Sequence, residues 1–253
     1  MALLTDGPVS DLRDLQAMDS TILETAKHEG IELNAKIEIA TEQIQLEVAA
    51  FLLRTQASSI LPSGTGSYEL SRVVVTPGLH RWHTLRTLVE VYSDAYNSQL
   101  NDRYLGKWKH FSLQAREASE LLFELGVGLV GLPIPRGGLP TVTSAGGNGP
   151  TETYLVRVGW RSAQGATGSP GDAVVYDASG GELIQVSPGA PPAGVAGWDV
   201  YVGTATAPIT QQNGGPIGLD QLWLLPESGL VAGAAPGTGQ KPEYHVRRSR
   251  TFF

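Results

Sequence analysis

Glycine and proline divide this chain into two stretches with different grammar. Of its 31 glycines, 9 lie in residues 1–132 and 22 in residues 133–240. Of its 16 prolines, 3 lie in the first stretch and 12 in the second, with Pro242 beyond both. Both residue types punctuate turns and are costly inside helices, so one uniformly helical fold is excluded. A length of 253 residues also exceeds the usual single domain. The expected fold class is multidomain α+β: an N-terminal α-helical bundle followed by a C-terminal all-β sandwich. The boundaries are a helical domain at 1–132, a Pro/Gly linker at 133–150, a β-sandwich domain at 151–240 and a basic, aromatic C-terminal arm at 241–253.

Apolar spacing supports the helical half. Ser10 is read as the cap of a helix in which Leu12, Leu15, Met18, Ile22 and Ala26 recur every three or four residues, with Gly30 as its stop. A second helix spans about Leu33 to Arg54, its stripe formed by Leu33, Ile37, Ala40, Ile44, Val48 and Phe51. Thr76-Pro77 suits an N-cap followed by proline at the first helical position. The helix it opens carries Leu79, Trp82, Leu85, Val89, Tyr92, Ala95 and Tyr96. A fourth carries Tyr104, Trp108, Phe111, Ala115, Ala118, Leu122 and Leu125, ending near Gly126. Each is read as amphipathic, so they should pack as a bundle.

The second half reads as strands. Tyr154, Val156, Val158 and Trp160 alternate onto one face, and further runs cover Ala173–Tyr176, Glu182–Val186, Trp198–Val202 and Leu222–Leu225. Gly, Pro, Asn and Asp clusters separate them at short intervals, the pattern of a small sandwich.

Composition narrows the chemistry. There are no cysteines, which excludes disulfides, thiolate metal sites and a Cys nucleophile. MALLTDGPVSDLRDL lacks a basic region ahead of an apolar run, so no signal peptide is expected. The greasy stretch Leu121–Ile134 is interrupted by Glu124, Gly and Pro, and falls short of the roughly 18 residues of a membrane span. Net charge is −7, spread as −6 over residues 1–132, −4 over 133–240 and +3 over 241–253. An acidic body disfavours phosphate contact, because nucleic-acid affinity needs clustered Lys and Arg.

No catalytic set, cofactor site or metal site emerges, and the chain is expected not to be an enzyme. His80 and His83 could share a metal at helical spacing, but no third ligand is signalled, and exposed histidines beside a core Trp82 are the plainer reading. Gly64-Thr-Gly66 and Gly146-Gly-Asn-Gly149 lack the frame of a phosphate loop, and Gly168-Ser-Pro-Gly171 is not a nucleophile elbow. Glu117, Glu120 and Glu124 read as a solvated helix face, and Asp11 and Asp14 as complements to a helix dipole. His28, His110 and His245 are isolated. The arm stands apart: Tyr244, Arg247, Arg248, Arg250, Phe252 and Phe253 combine the anchors that protein interfaces favour. They are the candidate docking residues.

The segment Leu88–Phe111 carries a resemblance. One helix leads through Asn101-Asp-Arg-Tyr104 into another with Lys107, Lys109 and Phe111. This is similar to the head-to-tail adaptor (connector, head-completion) proteins of tailed bacteriophages. The β half resembles the fibronectin type III-like modules of phage virion proteins, through Trp198-Asp-Val-Tyr-Val-Gly203, Gln211-Gln-Asn213, Trp223 and Pro226–Leu230. The resemblance implies a structural neck protein at the head-tail junction of the virion, assembled in the host cytoplasm. Its implied partners are the portal protein, tail or neck proteins, and itself in a homododecameric ring. DNA would pass through that ring without specific binding, and no membrane is involved. The arm becomes the portal-docking peg. A second reading is another virion attachment protein, in a baseplate or at a fibre, with the sandwich as its binding module. A third is a carbohydrate-active enzyme using Glu117, Glu120 and Glu124.

Overall fold

Among the described residues of the N-terminal half, apolar side chains at helical spacing build five α-helices: α1 (Leu12–Met18), α2 (Ile22–Glu29), α3 (Leu33–Ser58), α4 (Pro77–Gln99) and α5 (Asp102–Leu125). The computed structural model describes residues 1–58, 68–99 and 102–248; Gly64-Thr-Gly66 and Asn101 fall outside them. The chain forms two compact units. A helical unit comprises residues 4–131 and 242–253, and a β unit comprises 1–3 and 132–241.

α4 is the central helix and packs against each of the other four. Thr76 and Pro77 open it as the sequence predicts, with Thr76 Oγ1 accepting from Leu79 N at 3.4 Å. Leu79, Trp82, Leu85, Leu88, Val91, Tyr92 and Ala95 are all buried along it. Each large apolar side chain so buried contributes about 1.5–3 kcal/mol. Phe51, Trp82 and Phe123 meet in the same core, with ring centroids 4.7 Å and 5.6 Å apart.

Two expectations change here. The helix read from Ser10 to Gly30 is two helices, and Asp11 rather than Ser10 is the cap. Asp11 Oδ1 accepts from the backbone of Arg13 and Asp14, while Asp14 Oδ2 accepts from Asp11 N, a reciprocal capping box. α1 ends at Asp19, whose carboxylate accepts from both Thr21 N and Thr21 Oγ1 and so turns the chain into α2. The second change concerns α3. Its inner stripe is as predicted, yet Ile39, Leu46 and Leu53 lie on the opposite face and are 38, 71 and 65% exposed. α3 is apolar on both sides.

The helical unit also holds a small sheet. β1 (Val127–Leu129) pairs antiparallel with β9 (Tyr244–Val246), and Val73 bridges to Leu129. In the β unit, β4 (Val174–Ala178), β3 (Glu152–Arg161), β6 (Gly197–Thr204) and β7 (Thr210–Gln211) form a four-stranded antiparallel sheet in that order. β2 (Thr141–Gly146), β5 (Leu183–Ser187) and β8 (Trp223–Leu224) form a three-stranded one. Tyr154, Val156, Val158, Trp160, Ile184, Val186, Trp198, Val200 and Trp223 make one cluster with contributions from both sheets. Residues 133–150, expected as a linker, therefore contain a strand: the β-branched Thr141-Val-Thr143 pairs with Ser187–Gln185.

Candidate functional site

The arm is the first test of the candidate residues. Tyr244, Arg247 and Arg248 do not stand free; they belong to the helical unit. Tyr244 is half-buried opposite Leu129, and Val246, opposite Val127, is a core residue. Two glycines permit this close approach. A Cβ on Gly126, whose φ is +111°, would lie 2.9 Å from His245 Cβ, and one on Gly128 would lie 2.8 Å from Pro242 Cβ. Beyond the strand, Arg248 N donates to Phe123 O at 2.9 Å, and the Arg248 guanidinium sits 5.2 Å from the Phe123 ring centroid. Arg247 Nε donates to Leu125 O at 3.0 Å, so both cations complement the carbonyl end of α5. Arg250, Phe252 and Phe253 lie outside the described residues.

The motif around Tyr104 ties α5 to the α1–α2 junction. Lys107 Nζ donates to Asp19 Oδ2 at 2.7 Å, Thr21 Oγ1 at 2.8 Å and Tyr92 Oη at 3.0 Å. Tyr92 Oη donates to the same Asp19 oxygen, and Tyr104 Oη donates to Glu29 Oε1 at 2.8 Å. Phe111 stacks on Tyr92, with centroids 5.6 Å apart. Burial alone would raise the Asp19 pKa, but hydrogen bonds from Lys107, Tyr92 and Thr21 outweigh it and hold the carboxyl at about 2. Burial works against the charge on Lys107 too, yet Asp19 and Tyr92 raise its pKa. These residues fasten helices together.

His83 is fully buried, not exposed as the sequence suggests. Its Nδ1 lies 2.7 Å from Ser10 Oγ and its Nε2 lies 2.8 Å from Thr41 Oγ1. The Thr41 hydroxyl already donates to Ile37 O, so His83 Nε2 carries the proton and Nδ1 accepts from Ser10. Burial, with a smaller push from His80, lowers the His83 pKa to about 4. His80 turns away and meets Asp14 at 3.0 Å. The two imidazoles thus serve different partners, and no group of three metal-binding side chains occurs among the described residues. Glu117, Glu120 and Glu124 are all exposed on α5, with Glu120 held by Arg116 at 2.9 Å.

In the β unit, Asp199 is 1% exposed. It accepts from Arg161 Nε at 3.0 Å, Asn213 Nδ2 at 2.8 Å and Gln211 Nε2 at 3.3 Å. Gln212 clamps Val231 by accepting from its N–H at 2.8 Å and donating to its carbonyl at 3.0 Å. Gln211-Gln-Asn213, one of the segments that carry the resemblance of the β half, is thus the polar brace of β6.

Among its exposed charges the helical unit also presents apolar side chains outward. Besides Leu46 and Leu53 on α3, α5 exposes Leu113 (58%), Leu121 (55%) and Leu125 (61%). Leu121 and Leu125 border a groove of about 560 Å³ whose floor is Ala118 and Leu122 and whose rim includes Arg81, Glu117 and Arg247. Leu125, read as the last residue of the inner stripe of α5, is instead exposed, and reading one stripe per helix missed Leu46 and Leu53, although the seven-residue spacing of Ile39, Leu46 and Leu53 was there to find them. No helix among the described residues is long and apolar enough to cross a membrane. Compared with protein-family models, curated proteins and solved structures, the chain gives no match.

Proposed function

We propose that this chain is a structural virion protein of a tailed bacteriophage, an adaptor joining the portal to the tail as a ring around the DNA channel, with no catalytic role. The observation that carries this reading is the leucine-bearing outer faces of α3 and α5, the two longest helices. Aligned apolar side chains in water mark surfaces that other proteins cover. α5 also carries the Asp102-Arg-Tyr104 and Lys107 residues on which the resemblance rests.

The groove beside β9 is the natural seat for a portal segment, since its apolar floor is rimmed by Arg81 and Arg247. An acidic body suits a conduit for DNA, because like charge keeps the duplex from adhering. We read the β unit as a fibronectin type III-like sandwich; antiparallel sheets of four and three strands that share one core support this. Leu222 and Leu224, 50 and 55% exposed around the edge strand β8, favour a second reading in which this module binds a distal partner in a baseplate or fibre.

The test mixes purified chain with portal rings and images the product by electron microscopy. Adaptor density stacked on the portal is expected. It should be lost when Leu121 and Leu125 are both replaced by Glu, and weakened when residues 249–253 are removed. Portal rings that stay bare with the intact chain would refute the adaptor role. Removing all of 241–253 is a poor probe, because Val246 belongs to the core.

A further inference from the structure

The outer face of α3 carries a surplus that its own unit does not use. Ile39, Leu46 and Leu53 recur every seven residues directly opposite the buried stripe of Ile37, Ala40, Ile44 and Val48. A helix that is apolar on both sides is normally covered on both sides. The charges flanking this seam are mostly acidic: Glu38, Glu42 and Glu47 are exposed along it, with Arg54 as the exposed cation.

The first half of α5 presents the complement. Leu113 is 58% exposed and lies between the exposed cations Lys109 and Arg116, four residues before it and three after. Seven residues before Leu113, on the same face, stands Gly106. A Cβ built there meets nothing within 4 Å. Glycine inside a helix costs roughly 1 kcal/mol relative to alanine, and here it leaves the helix surface without a side chain one heptad before Leu113.

We infer that the α3 seam of one subunit docks on the first half of α5 of a second copy of this chain. Seating Leu46 against Leu113 in a parallel helix pair brings Glu42 beside Lys109, whereas an antiparallel pair would set Glu42 against the exposed Glu117 as well as Arg116, so the parallel arrangement is the complementary one. Pairing α3 with a second α3 would instead set the carboxylates of two acidic seams against each other. The contact is heterologous, so it propagates from subunit to subunit and closes into a ring if the rotation allows. This inference deepens the ring reading above by naming its two surfaces.

The chain has no cysteine, which makes the test direct. Leu46→Cys and Leu113→Cys, each exposed and tolerant of substitution, are prepared separately, mixed under mild oxidation and resolved by mass. The mixture should yield a 46–113 cross-linked dimer well above the homodimers of either variant alone, and the double variant a ladder of higher oligomers. In native mass spectrometry at rising concentration, Leu46→Glu with Leu53→Glu should weaken self-association by roughly tenfold or more per leucine. Leu113→Glu should do the same, and a mixture of the two charged variants should stop at a one-to-one dimer. Homodimers of Leu46→Cys as abundant as the mixed product would overturn the inference, as would the absence of the 46–113 cross-link. Binding to portal rings is scored separately. A chain that cross-links but ignores portal keeps this interface and loses the adaptor role; one that binds portal without the cross-link loses this interface alone.

Discussion

The helical unit and the β unit each bury a carboxylate, but they draw its partners from different distances along the chain. Asp19 is held by Tyr92 and Lys107, 73 and 88 residues away. Asp199 is held by Gln211, Asn213 and Arg161, which are 12, 14 and 38 residues away. The outer surfaces differ as well. The helical unit carries its most exposed leucines on α3 and α5, whereas in the β unit Leu139 and Val175 come from separate segments and Leu222 and Leu224 sit together around β8. Both units are nonetheless closed by remote segments, since in the β unit Gln240 accepts from Ile134 N and donates to Leu132 O, 106 and 108 residues away. The leucine-bearing faces of α3 and α5 are what make the helical unit the proposed assembly surface.

Substitutions can separate the two. The largest effect is expected from Val246→Asp, which sets a carboxylate against Val127 in the helical core and should cost that unit about 4 kcal/mol or more. Calorimetry should show the helical transition falling while the β transition stays in place; a common shift of both would mean that the units fold as one. Arg161→Met is the counterpart. It removes the charged partner of the buried Asp199 and should take about 3 kcal/mol from the β unit alone.

Acid should act on the helical unit through His83. Its folded pKa of about 4 lies below the ordinary histidine value of 6.5, so the unfolded chain takes up the proton first as pH falls. The stability it supports is complete above pH 6.5 and is lost progressively toward pH 4, by about 2 to 3 kcal/mol. Denaturant titrations across this window should show that slope in the helical transition, and His83→Gln should flatten it.

Lys107→Met should cost about 1.5 kcal/mol at neutral pH, less than a fully buried pair would, because solvent reaches the ammonium. Asp19 is lowered to about 2 from the ordinary aspartate value of 3.8, so its contribution is present above pH 3.8 and fades toward pH 2. The Lys107 variant should lessen that acid-side slope without abolishing it, because Tyr92 and Thr21 still donate to Asp19. Leu46→Ala should change the stability of the free chain by less than about 0.5 kcal/mol, which separates a docking role from a structural one.

Much of this organisation was legible before any coordinates. Thr76-Pro77 marked the start of α4, the alternation from Tyr154 to Trp160 marked β3, and the change in glycine density near Leu132 marked the boundary between the units. What escaped depended on distant partners. The break at Asp19 is secured by Lys107, and the burial of His83 needs both Ser10 and Thr41. β9 is three residues long, too short to show periodicity, and it forms because Gly126 and Gly128 leave room for it. The strand at Thr141 was masked by the Pro and Gly around it. Along α3, the inner stripe drew attention away from an equally regular outer one.

Hydroxyl-radical footprinting of the chain, free and bound to portal rings, reads side-chain exposure directly and bears most closely on the claim that the helical unit is the assembly surface. Oxidation at Leu46, Leu53, Leu121 and Leu125 is predicted to fall on binding while Leu139, Val175, Leu222 and Leu224 react as before. Protection of the second set with the first unchanged would contradict the account and assign the partner-holding role to the β unit.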